Sequence, residues 1–217
     1  MRVIRNLAIA VVLGLVPLTA MGASDDDLVI RMKIGSAAQI DHGAIGTDSG
    51  PIAGEQSSNA QFEFLFSHYV NPVMSAIIGA GYFSRQHSGS ENIGVGFGST
   101  TFDYDAKGYT IVGGMGFKAS ENARWEARIE LGMGEGKPSL STPGFSWNNT
   151  DSGTYTSTSV IVGGYYAFSK PGLELGLELG SQTFDGDWKI WSNNGYWMDS
   201  NVKGSSSIIN FIFGYRF

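Results

Sequence analysis

Alternation of apolar and polar residues with a period of two is the strongest pattern in this chain. Residues 123–133 show it most clearly: one set of alternate positions reads Ala, Trp, Ala, Ile, Leu, Met, and the other reads Arg, Glu, Arg, Glu, Gly. Residues 173–180 and 209–217 repeat the alternation. This period predicts β-strands whose two faces meet different surroundings.

Eight segments have strand character, and most of them are about ten residues long, the length with which a tilted strand crosses a bilayer. In the third and sixth segments the phase stays ambiguous, because glycine and apolar residues occupy both faces. The eight segments lie near residues 28–40, 60–69, 74–85, 108–118, 123–135, 157–168, 172–183 and 206–217.

The connections between these segments alternate between short and long. This asymmetry is typical of outer-membrane barrels, which have short periplasmic turns and longer extracellular loops. We therefore predict an all-β fold, an eight-stranded antiparallel transmembrane β-barrel with both termini periplasmic and long loops extracellular. The short connections lie at 70–72, 119–122 and 169–171, and the long ones near 41–59, 86–107, 136–156 and 184–205.

A soluble eight-stranded barrel of the lipocalin type is the alternative fold. Such a barrel would turn its apolar face inward and its charges outward. Nothing else in the chain could then cover the apolar rows at 125–133 and 173–179. In lipid these rows need no cover, so the pattern favours the membrane barrel.

The first 23 residues have the order of a secretory signal peptide: basic, then apolar, then small. Arg2 and Arg5 precede an uncharged apolar run of twelve residues, 7–18. That run is shorter than the roughly 20 residues of a spanning helix, although an uncleaved anchor is the alternative. We expect cleavage after residue 22 or 23 and a barrel built from residues 24–217.

The composition of the chain argues against disulfide bonds, metal sites and nucleic-acid binding. The chain has Cys 0, which excludes disulfides and thiolate metal sites. Its formal net charge is −6, whereas a nucleic-acid partner calls for a basic surface. Asp103, Asp105, Asp185 and Asp187 lack the spacing of an EF-hand loop, and we interpret them as solvated acids. We therefore predict no nucleic-acid partner, no cofactor and no metal site.

The polar faces of the strands carry charges that a barrel would turn into its lumen. An eight-stranded barrel is just wide enough for side chains to fill it. The six cations and five anions are nearly balanced, which favours ion pairs, since an unpaired confined charge costs several kcal/mol. We predict a plugged lumen, with a narrow channel for ions or small solutes as the alternative. The predicted lumen charges are Arg31, Lys33, Glu63, Lys118, Arg124, Glu126, Arg128, Glu130, Glu174, Glu178 and Arg216.

The C-terminal strand resembles the terminal signal of bacterial outer-membrane barrels, which end on Phe with aromatic or apolar residues at alternate upstream positions. Here Phe217 is preceded by Tyr215, Phe213, Phe211 and Ile209. The overall plan is similar to the eight-stranded OmpA and OmpX type, without a motif for any subfamily. The resemblance implies recognition by the barrel-assembly machinery and a place in the outer membrane, among its lipid and lipopolysaccharide.

Aromatic residues concentrate in the fourth long connection, at Trp188, Trp191, Tyr196 and Trp197. Exposed tryptophan is costly unless it packs or binds. We interpret these side chains as packing among themselves or lying on lipid head groups. A recognition patch for carbohydrate, a host surface or another protein is the alternative.

The segment His87-Ser88-Gly89-Ser90-Glu91 contains a base, two hydroxyls and a carboxylate, the groups that nucleophilic catalysis needs. Some outer-membrane barrels that deacylate lipid A use His, Ser and Glu, but their spacing and position in the chain differ from this segment. We therefore predict that the protein is not an enzyme.

The leading prediction for the function is a structural role, or an interaction of the surface loops with an extracellular ligand. The narrow channel is the second possibility, and modification of lipid A is the third.

Overall fold

The computed structural model describes residues 26–45, 48–50, 53–92, 99–141, 148–191 and 197–217. The predicted signal peptide therefore lies outside the described residues. No helix among them is long and apolar enough to cross a membrane. Eleven strands are described: β1 (Asp27–Gly35), β2 (Ile40–Ile45), β3 (Asp48–Gly50), β4 (Ala53–Tyr69), β5 (Met74–Asn92), β6 (Ser99–Lys118), β7 (Ala123–Ser141), β8 (Asn148–Asp151), β9 (Gly153–Ala167), β10 (Gly172–Trp191) and β11 (Trp197–Arg216).

Eight of these strands form a closed antiparallel ring within the described part of the chain. The order is β1, β4, β5, β6, β7, β9, β10 and β11. β11 returns to β1, with Arg216 opposite Val29 at one end and Asn210 opposite Gly35 at the other. Closure leaves no unpaired edge in lipid, which a spanning sheet requires. The prediction of an eight-stranded antiparallel barrel is confirmed.

The strands continue well past the predicted ends, which corrects the sequence-based boundaries. β5 and β6 stay paired up to Asn92 opposite Ser99, and β10 and β11 up to Trp191 opposite Trp197. Most residues of the connections predicted near 86–107 and 184–205 therefore extend hairpins. These segments are rich in Ser, Thr, Gly and Asp. Their outer face meets water and not lipid, so it does not need apolar residues. The strands therefore stay paired through their backbone hydrogen bonds, but the alternation of apolar and polar residues is lost.

The barrel is apolar outside and charged inside, the reverse of a soluble protein. On β7, Leu131 is 54% exposed, whereas the neighbouring Glu130 and Arg128 are each 2% exposed. A bilayer covers such an outer band and leaves the lumen polar. The outward apolar side chains include Met32, Ile34, Phe62, Phe64, Ile78, Tyr82, Tyr109, Ile111, Met115, Trp125, Ile129, Leu131, Met133, Val160, Val162, Leu175, Leu177, Phe211 and Phe213; we call them the lipid-facing band.

Short turns connect neighbouring strands at one end of the barrel. Between β4 and β5, the Val70 amide donates to the Met74 carbonyl at 2.9 Å, and the Asn71 carboxamide oxygen accepts the amides of Val73 and Met74. Between β6 and β7, the Ala119 amide donates to the carbonyl of Ala123 at 2.9 Å. At the opposite end the strands project beyond the band. We call the described residues within 36–59, 84–107, 135–156 and 183–205 the outer extension.

Candidate functional site: the barrel lumen

The lumen at the level of the lipid-facing band is filled by charged side chains from six strands. Among the described residues, six buried cations and six buried anions occupy it, so the charges balance. Each of these side chains is at most 4% exposed. The twelve are Asp27, Arg31, Lys33, Glu63, Arg85, Arg124, Glu126, Arg128, Glu130, Glu174, Glu178 and Arg216.

Arg31 ties one wall of the barrel to the other. Its two terminal nitrogens each donate to a carboxylate oxygen of Glu126 on β7 at 2.7 Å, and its Nε donates to Glu174 on β10 at 2.8 Å. The guanidinium also lies 3.8 Å from the ring centre of Tyr165 on β9. A bidentate pair of this kind fixes both geometry and charge. One residue of β1 thus bridges the full width of the lumen.

A second group of ion pairs is centred on Lys33. Its ammonium contacts three carboxylates, those of Glu63 at 2.7 Å, Glu178 at 3.2 Å, and Glu130. Arg128 contacts Glu63 at 3.2 Å and also Glu178. Arg128 also contacts Glu130, at 3.5 Å. The two cations therefore share the same three anions, so this group acts as one network rather than as separate pairs.

The network ends near the short turns in a third group. Arg216 contacts Glu174 at 2.6 Å, and Arg124 contacts Glu126 at 2.8 Å and Glu174 at 3.3 Å. The carboxylate of Asp27 forms an ion pair with Lys170 in the adjacent turn, with 2.5 Å between Oδ1 and Nζ. Cations and anions thus alternate from this mouth to the middle of the barrel.

The structure changes the membership of the predicted network at three positions. Lys118 shares the inward phase, but it lies at the rim, where it pairs with Glu121 at 3.2 Å and is 34% exposed; its inclusion is corrected. Asp27 and Arg85 are buried members that the sequence analysis missed. Asp27 shares the phase of Arg31, but it follows two other acids and lies just before the first predicted strand, which begins near residue 28. Arg85 stands at the end of a predicted strand of ambiguous phase.

A layer of packed aromatic side chains lies in the lumen beyond the charges, on the side away from the short turns. The ring of His87 stacks on Phe184 at 4.2 Å between centroids, and the ring of Tyr155 lies 5.5 Å from that of Phe184. Tyr104 fits only because its neighbours are glycine: a Cβ at Gly136 would lie 1.8 Å from the Tyr104 hydroxyl. The layer comprises Phe83, His87, Phe102, Tyr104, Tyr155, Phe184 and Trp188, each at most 4% exposed.

For Trp188, this layer agrees with the interpretation of packing and not with the alternative of a recognition patch. Trp188 is 2% exposed and packs 5.3 Å from the ring of Phe102, inside the barrel. It belongs to the buried aromatic layer and not to a recognition surface. Tyr196 lies outside the described residues. Trp191 and Trp197 form the last pair of the β10–β11 ladder, and their side chains lie outside the described part.

A ring closed by β1 and β11, with charges inside and apolar side chains outside, decides the fold class. The chain has the fold of an outer-membrane β-barrel. The predicted resemblance to the eight-stranded OmpA and OmpX type is thereby confirmed at the level of the fold. The side chains of the C-terminal pattern all lie on the outer face: Ile209, Phe211, Phe213, Tyr215 and Phe217.

Comparison with known proteins finds other outer-membrane barrels at low sequence identity. Ail, the attachment invasion locus protein of Yersinia pestis in complex with the heparin analogue sucrose octasulfate, is 14% identical, with 88% of this chain and 98% of Ail covered and a TM-score of 0.41. The outer membrane protease OmpT of Escherichia coli is 12% identical, with 91% and 99% covered and a TM-score of 0.47. Neisserial surface protein A is 11% identical, with 90% and 99% covered and a TM-score of 0.36. No family model and no curated protein matches the sequence. None of these likenesses carries information on the function of this chain.

His87 is the base in the segment 87–91 that was considered for catalysis. Its imidazole lies inside the outer extension, and both ring nitrogens have hydrogen-bond partners. Its Nδ1 donates to the carbonyl oxygen of Ala38 at 2.6 Å, and its Nε2 lies 3.3 Å from the hydroxyl of Tyr155. Ser88 follows on the opposite face of β5, because successive side chains of a strand alternate. The segment therefore does not aim Ser88 at the imidazole.

Asp185 is one of the four aspartates interpreted above as solvated acids. It forms an ion pair with Lys203 at 2.9 Å.

The burial of His87 predicts that the stability of the barrel depends on pH. The residue lies five positions beyond Tyr82, above the lipid-facing band, where burial lowers its pKa to about 4. Arg85 acts in the same direction, against the hydrogen bond to Ala38. In the unfolded chain the pKa of histidine is about 6.5. The folded state therefore takes up this proton less readily, so its contribution to stability is complete above about pH 6.5 and is lost as the pH falls towards 4.

We expect the urea midpoint of the refolded protein to fall between pH 7 and pH 4, and to fall less in His87→Gln. The glutamine keeps a hydrogen-bond donor at the position and cannot take up the proton. Measuring both proteins across the same pH range separates His87 from the carboxylates, which both proteins share. Identical pH profiles would show that His87 does not titrate in this window.

Proposed function

We propose that the protein is an integral outer-membrane barrel with a lumen closed to ions and small solutes, and with a structural or surface-interaction role through its outer extension. The observation that carries the proposal is that buried side chains occupy the lumen at two levels: a balanced ionic network at membrane level and an aromatic layer above it. Insertion by the barrel-assembly machinery and contact with outer-membrane lipid and lipopolysaccharide belong to the same proposal.

The ionic network supports closure because its charged groups are buried and form ion pairs with each other. The side chains of Arg31, Arg128, Glu63 and Glu178 have no solvent-exposed surface. A conducting path through this level would have to separate ion pairs in a confined space, where breaking one pair costs about 3–5 kcal/mol. This favours the plug over the channel, the alternative function.

The outer extension supports a surface role because its outward side chains are polar and held on paired strands. Asp105 stands opposite Lys137 in the β6–β7 register, and Lys107 stands opposite Glu135. Opposite charges across a ladder stabilise the pairing. The extension is therefore a folded platform that presents defined rows of side chains, and an extracellular ligand would meet strand faces instead of irregular loops.

The orientation of this platform can be tested directly, because the chain has Cys 0 and any introduced cysteine is unique. We expect Lys137→Cys, an exposed position in the extension, to react with a membrane-impermeant maleimide in intact cells. Glu121→Cys, in the β6–β7 turn at a side chain that is 91% exposed, should react only after the outer membrane is opened. The readout is a mass shift on a denaturing gel.

The two positions lie on the same β6–β7 hairpin unit and control for each other. Heat-modifiable migration on the gel would show that both variants are folded. Labelling of Glu121→Cys in intact cells, with Lys137→Cys protected, would contradict the proposed orientation. Labelling of neither after the membrane is opened would contradict the proposed exposure of both.

A further inference from the structure

A layer of neutral polar side chains lies in the lumen between the ionic network and the aromatic layer. On one side, Gln61 donates to the carboxylates of Glu63 at 2.7 Å and Glu130 at 3.1 Å. On the other side, the guanidinium carbon of Arg85 lies 4.3 Å from the ring centre of Phe83. We call this level the neutral layer; its buried members are Asn59, Gln61, Thr110, Ser157, Ser159, Gln182 and Asn210.

Arg85 is a buried cation at this level, and no carboxylate in the described part of the chain pairs with it. All of its hydrogen bonds go to neutral oxygens. Its Nε donates to Asn59 at 3.2 Å, and its Nη2 donates to Gln61 at 3.4 Å. Its Nη1 donates to Ser157 at 2.6 Å and to Tyr155 at 3.5 Å. These bonds hold the guanidinium in place but bring no negative charge to it.

The ion pairs of the network balance without Arg85. Among the described residues, five other lumen cations pair with five glutamates, and Asp27 has its shortest contact, 2.5 Å, with Lys170 at the rim. Arg85 is therefore left with an unmatched positive charge. Buried charges in proteins are normally paired or bound to an ion, because a lone charge is costly to remove from water. The five cations are Arg31, Lys33, Arg124, Arg128 and Arg216, and the five anions are Glu63, Glu126, Glu130, Glu174 and Glu178.

The surroundings of Arg85 favour a counter-ion of one charge and small size. A monovalent anion neutralises the guanidinium, whereas a divalent anion would leave a buried negative excess. The lumen of an eight-stranded barrel is just wide enough for side chains, which favours a monatomic ion over a larger one.

Two hydroxyls near Arg85 have a hydrogen to donate to such an ion. Ser157 uses its oxygen to accept from Arg85, and Thr110 uses its oxygen to accept from Gln61 at 3.3 Å. A hydroxyl that accepts in this way can still donate its own hydrogen. The guanidinium and the two hydroxyls together offer positive charge and donors from three strands.

We propose that Arg85 binds a small monovalent anion of the halide class in the neutral layer, with the hydroxyls of Ser157 and Thr110 as further donors. The anion supplies the negative charge that the chain does not place beside Arg85. It is taken up while the barrel folds, so binding needs no open path through the lumen. This inference goes beyond the proposed function, since it assigns a ligand to the lumen itself.

Urea unfolding of the protein, refolded in sodium chloride or in sodium gluconate of equal ionic strength, tests the proposal. Gluconate is too large for a lumen filled by side chains and serves as the reference anion. We expect chloride to raise the folding equilibrium constant in a saturable manner, by about tenfold at about 100 mM for a dissociation constant of about 10 mM. Bromide should act as chloride does.

Three variants separate the site from a general effect of salt. Arg85→Met removes the charge and should abolish the chloride effect, whereas Arg85→Lys keeps the charge and should retain part of it. Lys137→Met removes an exposed cation from the outer extension and should keep the whole effect. An equal chloride effect in Arg85→Met and in the unmodified protein would overturn the proposal, and so would the absence of any chloride effect in the unmodified protein.

A crystal structure of the unmodified protein grown in sodium bromide gives an answer even if Arg85→Met does not fold. We expect the anomalous signal of a bromide ion in contact with the Arg85 guanidinium. Bromide found only elsewhere, or not at all, would contradict the site. Such a failure would leave the closed barrel untouched, because closure is measured by conductance and not by anion binding.

Discussion

Replacing Glu174 and Glu178 together with glutamine is expected to lower the free energy of unfolding by at least about 3 kcal/mol, the cost of breaking a buried ion pair from one side. Glu174 holds Arg31 at 2.8 Å and Arg216 at 2.6 Å. Glu178 holds Lys33 at 3.2 Å and also contacts Arg128. Glutamine keeps the shape of the side chain but leaves these buried cations without part of their counter-charge.

Urea unfolding in lipid vesicles, followed by gel mobility, measures this loss. Glu121→Gln is the control, because it makes the same type of substitution at a turn residue that is 91% exposed. It should change stability by less than about 0.5 kcal/mol. A double variant as stable as the unmodified protein would show that the two carboxylates are hydrated and not paired.

Placing arginine at Ile129 is expected to destabilise the barrel by about 2–4 kcal/mol, because a charge on the lipid face at mid-membrane must enter hydrocarbon. Ile129 is 53% exposed and lies at the centre of the outward row that runs from Trp125 to Met133 on β7. Ser139 is an outward position on the same strand, in the outer extension. Ser139→Arg should therefore leave stability nearly unchanged.

The same unfolding assay in vesicles measures both arginine variants. The two variants share the strand, the face and the introduced residue. The difference between their free energies of unfolding therefore reports only the effect of depth in the membrane. Equal stability of Ile129→Arg and Ser139→Arg would contradict the position of the lipid-facing band.

The membrane part of the barrel could be predicted from the sequence because lipid and lumen impose opposite chemistry on alternate residues. On β7 this gives Trp125, Ile129 and Leu131 on one face, and Glu126 and Arg128 on the other. Wherever both faces of a strand meet contrasting surroundings, the phase can be determined from the residues alone.

The outer ends of the strands could not be predicted in the same way. Beyond the band the outer face meets water, while the inner face meets an aromatic layer made from four different strands. Trp188 therefore looks like a loop tryptophan in the sequence, and its partners Phe102 and Tyr104 are more than eighty residues away. Which polar segment turns its aromatic residues inward depends on the register across the ring.

The charge network shows the same limit at residue level. The sequence indicates that charges of both signs face the lumen, but it does not show where the lumen ends. Lys118 and Asp27 both have the inward phase, yet Lys118 reaches the rim and Asp27 is 0% exposed. The position of the short turns relative to each strand decides between the two outcomes.

Conductance of the purified protein in planar lipid bilayers tests the closed lumen most directly. We predict no steady current, because the paired charges around Arg31 and Lys33 and the aromatic layer around Phe184 occupy the lumen at two levels. Regular single-channel steps in the unmodified protein, with a selectivity that shifts towards anions when Glu174 and Glu178 are neutralised, would contradict the account and establish the channel instead.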